Sequence, residues 1–346
     1  MSVEVIVGGT KLTRFQRGSL RFSLTELVSS FQVEYVLTDR VRDERPLFAG
    51  DRVAVRIDGE VVIDGYVDTT DDEDSPDGLL LRAAGRSRTA DLVDCAAERA
   101  GFTKQTALQV ARAIAAPFDV TVDADGDVGE PFPSFHVQKG ETAGDAIMRA
   151  AQLRGLYPYA RGRGLVLARV PTEGAVDSLL ERGKEPLQRT SRSDSWYSRF
   201  STYIFHGQVP PSENAWGPKA NQLKHAVVDP TITRYRPLLV QVEAHGIGDV
   251  RSRAEVVKNQ RAGQGERIVC QCTGLVTNEG RAWRPNMRVR VVNPYLAIND
   301  ALIVSQVSMH FGEAQPVQTD LELIRPEAFD IGKYKALKKH AKWYRS

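Results

Sequence analysis

Between Gly50 and Asp68 the chain reads GDRVAVRIDGEVVIDGYVD. Val53, Val55 and Ile57 alternate with Arg52, Ala54 and Arg56, the period of two that turns one face of a strand inward. Asp58-Gly59 supplies a positive-φ turn, and Val61, Ile63 and Val67 carry the apolar face back. The stretch predicts an antiparallel hairpin whose polar outer face mixes Arg52 and Arg56 with Asp64 and Asp68.

Strand patterning extends over residues 1–84. SLRFSLTELVSSFQVEYVL has strand-like ends about a short helical turn, and LLLRAA is a further strand. DTTDDEDSPDG, between the hairpin and that strand, reads as a solvated acidic loop. From Gly85 the period changes. SRTADLVDCAAERA and TALQVARAIAAPF have helical spacing, with Thr106 as N-cap and Pro117 as stop. FDVTVD is a short strand. ETAGDAIMRAAQLRG is a helix opened by Thr142 and Asp145 and closed by Gly155. LYPYARGRGLVLARV folds back at Arg161–Gly164. Residues 85–170 therefore predict a small α+β domain inserted after a β domain.

Residues 171–231 are polar, broken by Pro and Gly, and hold one aromatic strand, RFSTYIFHGQ. Over 232–326 the strands return as RPLLVQVEA, ERIVCQCTGL, MRVRVVN, ALIVSQVSMHF and TDLELIRP, interrupted by the helix VRSRAEVVKNQRA. The basic tail, 327–346, places Tyr334, Leu337, Ala341 and Tyr344 at helical spacing.

The hairpin pattern occurs twice. Arg52-Val53-Ala54-Val55 matches Arg288-Val289-Arg290-Val291, Ile63 and Val67 match Ile303 and Val307, and Leu79 and Leu81 match Leu321 and Leu323. Convergent alternation and duplication both produce such a match; the common order of elements favours duplication. The expected fold is an α+β multidomain chain with two related antiparallel β-barrels, near 1–84 and 232–326. The α+β domain stands between them, and 171–231 completes one or both barrels.

Composition narrows the class without naming a chemistry. The 346 residues suit two to four domains, and 42% hydrophobic with 26% charged residues is ordinary for a globular chain. A net charge of +2 gives no reason to expect sequence-specific nucleic-acid binding. MSVEVIVGGTKL lacks a signal-peptide layout, and no apolar run is long enough for a membrane span. Three cysteines make no disulfide framework; Cys270 and Cys272 share one strand face as buried thiols, consistent with cytosolic synthesis.

No convergent catalytic set emerges. His136, His206, His225, His245, His310 and His340 form no zinc-binding spacing, and no nucleophile elbow or phosphate loop is present. ARGRGLVL alternates basic residues and glycines but opens no helix. Asp123, Asp125 and Asp127 open like a calcium loop, which then fails at Val128 and Ser134. Nothing among the 44 acidic residues selects a glycosidase pair. Trp196, Tyr197, Tyr203 and Phe205 form a dense aromatic patch, with half of it expected in strand core. Accordingly no catalytic, cofactor or metal residues are assigned.

FHVQKGETAGDAIMRAAQLRGLYPYARGRGLVLARV resembles the helix-plus-hairpin signature of contractile-tail baseplate hub proteins, the Mu-like tail protein P group with a T4-type hub fold. RFSTYIFHGQ, VVDPTITRYRPLLVQVEA, AWRPNMRVRVVNPYLAINDALIVSQVSMHF and LELIRPEAFD are similar to later blocks of that family, so the resemblance spans most of 20–330. It implies a virion structural protein of the tail baseplate, with two tube-protein-like barrels per chain and no enzymatic turnover. A homotrimer would join the sixfold tail tube protein to the threefold central spike protein and pass the genome. The alternatives are a tail-associated cell-wall hydrolase and a glycan-binding module.

Overall fold

A computed structural model describes residues 2–37, 47–75, 78–98, 101–171, 174–208, 223–243 and 247–329. The expected tail helix lies outside these residues. The chain divides into two compact units, one of residues 1–191 with 268–323 and one of 192–267 with 324–346. Strands dominate, and most of their pairings are antiparallel.

The first unit opens with β1 (Val3–Val7), β2 (Thr10–Leu12), β3 (Arg17–Ser23), β4 (Ser30–Leu37), β5 (Arg52–Ile57), β6 (Glu60–Ser75) and β7 (Gly78–Ser87). β5 and β6 are the expected hairpin, closed by positive φ at Asp58 (46°) and Gly59 (89°). Two expectations are corrected. No helical turn separates β3 from β4; Leu24 and Leu27 are buried there, and the Ser23 hydroxyl accepts the Thr25 amide. The acidic run is not a loop up to Ser75, because β6 continues through it, paired with β7. Cross-strand arginines make this tolerable: Arg82 binds Glu73 at 3.1 Å and Arg86 binds Asp68 at 2.6 Å.

Next come α1 (Ala90–Asp94), β8 (Gly101–Gln105), α2 (Ala107–Ala115), β9 (Thr121–Asp125), β10 (Phe132–His136), α3 (Ala143–Gln152), β11 (Tyr157–Arg161) and β12 (Gly164–Ala168). Thr106 caps α2 in a full capping box with Gln109, while Thr142 caps α3 through the Asp145 amide. α1 is shorter than expected, the backbone turning extended at Cys95. Val110, Ile114, Ala146, Ile147 and Ala150 pack with Leu165 and Leu167 into a separate core.

The chain then supplies β13 (Ser178–Glu181) and β14 (Leu187–Asp194). The second unit contributes β15 (Thr202–Gln208), β16 (Leu223–Val228), β17 (Pro237–Glu243) and α4 (Ile247–Gly265), around Tyr203, Phe205, Val250 and Ala254. Last come β18 (Glu266–Thr273), β19 (Arg288–Asn293), β20 (Ile298–Phe311) and β21 (Gln318–Ile324).

The large sheet has thirteen strands in the order β14-β18-β21-β20-β3-β4-β7-β6-β5-β1-β2, with β19 joining β20 to β13. It contains one connectivity twice. The path β3-β4-β7-β6-β5-β1 visits its strands in the same chain ranks as β14-β18-β21-β20-β19-β13. The copies differ at one end, since β1 is antiparallel to β5 and β13 is parallel to β19. β3 pairs with the distal half of β20, from Gly18↔Phe311 to Ser23↔Gln306, and so joins the two sets. One core runs through both, including Val53, Val55, Ile63, Val289, Val291 and Val307. No closed barrel is present among the described residues.

Candidate assembly surface

The acidic run that opens like a calcium loop is engaged in ion pairs. Asp123, Asp125 and Asp127 are bound by Arg112, Arg161 and Arg169, at 3.7, 2.9 and 3.3 Å. His136, His206, His225 and His310 lie on β10, β15, β16 and β20; His245 and His340 are outside the described residues. No cluster of His, Cys, Asp and Glu fit for a metal occurs among the described residues. Cys270 and Cys272 are buried on β18. Burial pushes the Cys270 thiol up to about 12 and the Cys272 thiol upward as well, which keeps both protonated and inert.

The basic glycine turn of β11–β12 has a structural use. Asp64, expected on the polar outer face, is buried there, because the α+β domain covers that face of β6. Its amide donates to the Gly162 carbonyl at 3.2 Å. Its carboxylate meets Arg163 Nε at 3.2 Å, Arg52 Nη2 at 3.4 Å and Arg88 Nη2 at 3.6 Å. Arg88 is itself buried and also donates to Asp119. A single carboxylate thus ties the α+β domain to the β5–β6 hairpin. The sequence signal for this node was the unexplained ARGRG turn.

In the second unit the aromatic patch divides. Tyr203 and Phe205 are fully buried, whereas Tyr197 is 90% and Trp196 is 42% exposed. Below them Arg199 and Asp229 form a buried pair at 2.7 Å. Burial alone would raise the Asp229 carboxyl, but hydrogen bonds from Thr231 and Arg199 outweigh it and hold the group below the usual carboxylate range. Val228 and Leu239, on β16 and β17, are 60% and 65% exposed.

The strand edges are the remaining surface of the first unit. β14 ends the sheet, and Arg189 on it is exposed. β6 pairs with β5 only from Glu60 to Tyr66 and with β7 from Gly65 to Ser75. Among the described residues no strand runs along the other side of Asp68–Ser75, where Thr70 and Asp72 are nonetheless engaged in contacts. That stretch carries Asp68, Asp71, Glu73 and Asp74, all exposed. Strand edges, with no cluster of metal-binding type among the described residues, suit assembly.

Comparison with known proteins leads to the same place. Residues 2–87 match the family "Mu phage baseplate assembly protein GpP-like, N-terminal". Residues 89–169 match "Baseplate hub protein gp44-like, second domain", and 247–332 match "Mu phage baseplate assembly protein GpP, fourth domain". The chain is 27% identical over 298 residues to baseplate hub protein gp44 of Escherichia phage Mu, covering 82% of this chain and 77% of that protein. The 43 kDa tail protein of prophage MuSo2 from Shewanella oneidensis superimposes with a TM-score of 0.82 at 26% identity, over 96% of this chain and all of that one. A tail protein from Neisseria meningitidis MC58 does so with a TM-score of 0.83 at 23% identity, over 94% and 98%. These relatives are structural proteins of tails rather than enzymes. The chain belongs to the baseplate hub proteins of Mu-like phage tails, and its place is the tail baseplate of the virion.

Proposed function

We propose that three copies form a ring at the centre of the baseplate, joining a sixfold tail tube to a threefold spike and passing the genome on ejection. The carrying observation is the strand order repeated within one sheet. On this reading the first tube-protein-like domain is residues 1–84, and the α+β domain is 85–170. The second tube-like domain is built from β18–β21 with β13 and β14, so that segment 171–231 supplies two of its strands. Three chains then present six similar wall elements, which can face a sixfold tube on one side while the threefold repeat of whole chains faces the spike. The α+β domain clamped through Asp64 moves with its wall, as a rigid adaptor requires. A cryo-EM map of the assembled tail tip tests this. Three copies between tube and spike are expected; six copies, or one, would defeat it.

A further inference from the structure

The three-stranded sheet of the second unit is packed on one side. Tyr203 and Phe205 of β15 and Val240 of β17 lie against Val250 and Ala254 of α4. Alternation turns the intervening residues to the other side. There Ala226, Ile204 and Leu239 form one cross-strand row, and Val228, Thr202 and Pro237 the next. Val228 and Leu239 are mostly exposed, so an apolar face stands open in this unit. Loops 195–201 and 229–236 leave the end of the sheet that holds Val228 and Pro237, and they carry the exposed Tyr197 and Tyr235. The loops are locked together. Arg236 Nη2 donates to the Tyr197 carbonyl at 2.9 Å and Arg236 Nε to the Arg199 carbonyl at 3.0 Å. The buried Arg199–Asp229 pair bonds one loop to the other.

We propose that this open face, with the tyrosine loops at its end, is the seat of the threefold spike protein, through a spike surface apolar at its centre and acidic at its rim. This deepens the ring reading and rests on it. Tyrosines on locked loops beside an aliphatic centre are the composition of a protein interface, where ordered anchors bind at little cost in entropy. Binding to a membrane surface follows apolar area and charge and gains nothing from locked loops. Charge selects the kind of partner. The two apolar rows and the next, Lys224, His206 and Gln241, carry no acid, and exposed Arg234 adds a positive charge. Asp229, the one acid of the two loops, is buried in its ion pair. Two copies face to face would set like charges together, so the partner is a different protein with an acidic rim. Symmetry selects which one. The face lies in the insertion between β14 and β18, where the first strand set has six residues between β3 and β4. A ring of three chains presents it three times, which matches a threefold partner and not a sixfold tube.

The test uses assembled tail particles. Tyr235 is replaced by the photoreactive p-benzoylphenylalanine, the particles are irradiated, and the adducts are identified by mass spectrometry. An adduct between hub and spike is expected. Adducts only between hub chains, only to the tube protein, or none from particles that hold the chain overturn the docking and leave the ring reading to stand on its copy number. Six copies or one defeat the ring, and with it this assignment. As a second measurement, Leu239→Asp is expected to unfold in urea at the wild-type midpoint, because the side chain is mostly exposed, and to lower spike occupancy at least tenfold with three hub copies retained. Unchanged occupancy counts against the docking. So does a purified chain that binds phosphatidylglycerol vesicles and loses them with Leu239→Asp, which would make the face a membrane contact.

Discussion

Replacing Asp64 by Ala tests whether the α+β domain is anchored as described. The substitution removes the acceptor shared by Arg52, Arg88 and Arg163. Arg52 and Arg163 are mostly exposed, with side-chain accessibilities of 59% and 70%, so water recovers most of what they lose. Arg88 is different, at 8%. Removing one partner of a buried pair costs about 3–5 kcal/mol. Arg88 retains the Asp119 carboxylate and carbonyl, so the lower end applies, about 3 kcal/mol. Asp64→Asn keeps an acceptor and should cost about 1.5 kcal/mol, the low end for a hydrogen bond to a charged group. Urea denaturation of the purified chain gives both values. Amide exchange should rise first at Asp64, whose N–H binds the Gly162 carbonyl. A stability change below about 1 kcal/mol for Asp64→Ala would refute the reasoning, since surface pairs alone reach that size.

Gly65→Ala would place a Cβ 1.9 Å from the Arg86 carbonyl oxygen, a backbone atom of β7 that cannot swing aside. A loss of about 3 kcal/mol is expected in urea, the top of the range for overpacking. Asp229 gives the second unit an acid sensitivity. Its folded-state carboxyl is held low, so its contribution is complete above the unfolded pKa of about 3.9 and disappears as pH falls through the folded value. Unfolding midpoints between pH 6 and pH 2.5 should show a fall that Asp229→Asn makes shallower, with Asp94 and Glu141, also held low by arginines, supplying the rest. Of the three thiols, only exposed Cys95 should react with an aromatic disulfide in the native chain; Cys270 and Cys272 should react after unfolding, and early reaction at either would contradict its burial.

What was legible in the sequence followed how locally each feature is determined. Asp58-Gly59 and the alternation about it fix the β5–β6 hairpin without help from distant residues. Thr106 with Gln109, and Thr142 with Asp145, mark helix starts through contacts three residues away. Features settled by remote partners were hidden. β6 survives its acidic run because Arg82 and Arg86 lie across the ladder, and four acids in succession otherwise read as a loop. β13 is four residues long and takes its place from parallel pairing with β19, more than a hundred positions downstream. Asp64 stands where alternation and charge suggest an outer face, and only the fold of residues 88–163 buries it. The repeat was visible at β5–β7 and β19–β21, where the alternation is clean. Its remaining strands were obscured because the β14-to-β18 connection holds most of a second compact unit where β3-to-β4 holds six residues, Leu24–Ser29.

On the proposed ring reading that asymmetry is what would make six similar wall elements a threefold object, and it can be removed experimentally. The two ends of the insertion meet: Ser195 N–H donates to the Gly265 carbonyl at 2.6 Å. A tight turn can therefore replace residues 196–264, leaving β14 and β18 joined as a hairpin in the way β3 and β4 are joined. The insertion has its own core about Tyr203, Phe205 and Val250, so its loss takes no residue from the core shared by β5 and β19. The excised chain should keep its far-ultraviolet strand signal and unfold cooperatively in urea. Its m-value should be lower by about a fifth, the share of the chain removed, because m follows the surface exposed on unfolding. Loss of cooperative unfolding would show that the second strand set depends on the insertion for its fold. The two sets would then be unequal partners, and the wall could not present six equivalent elements.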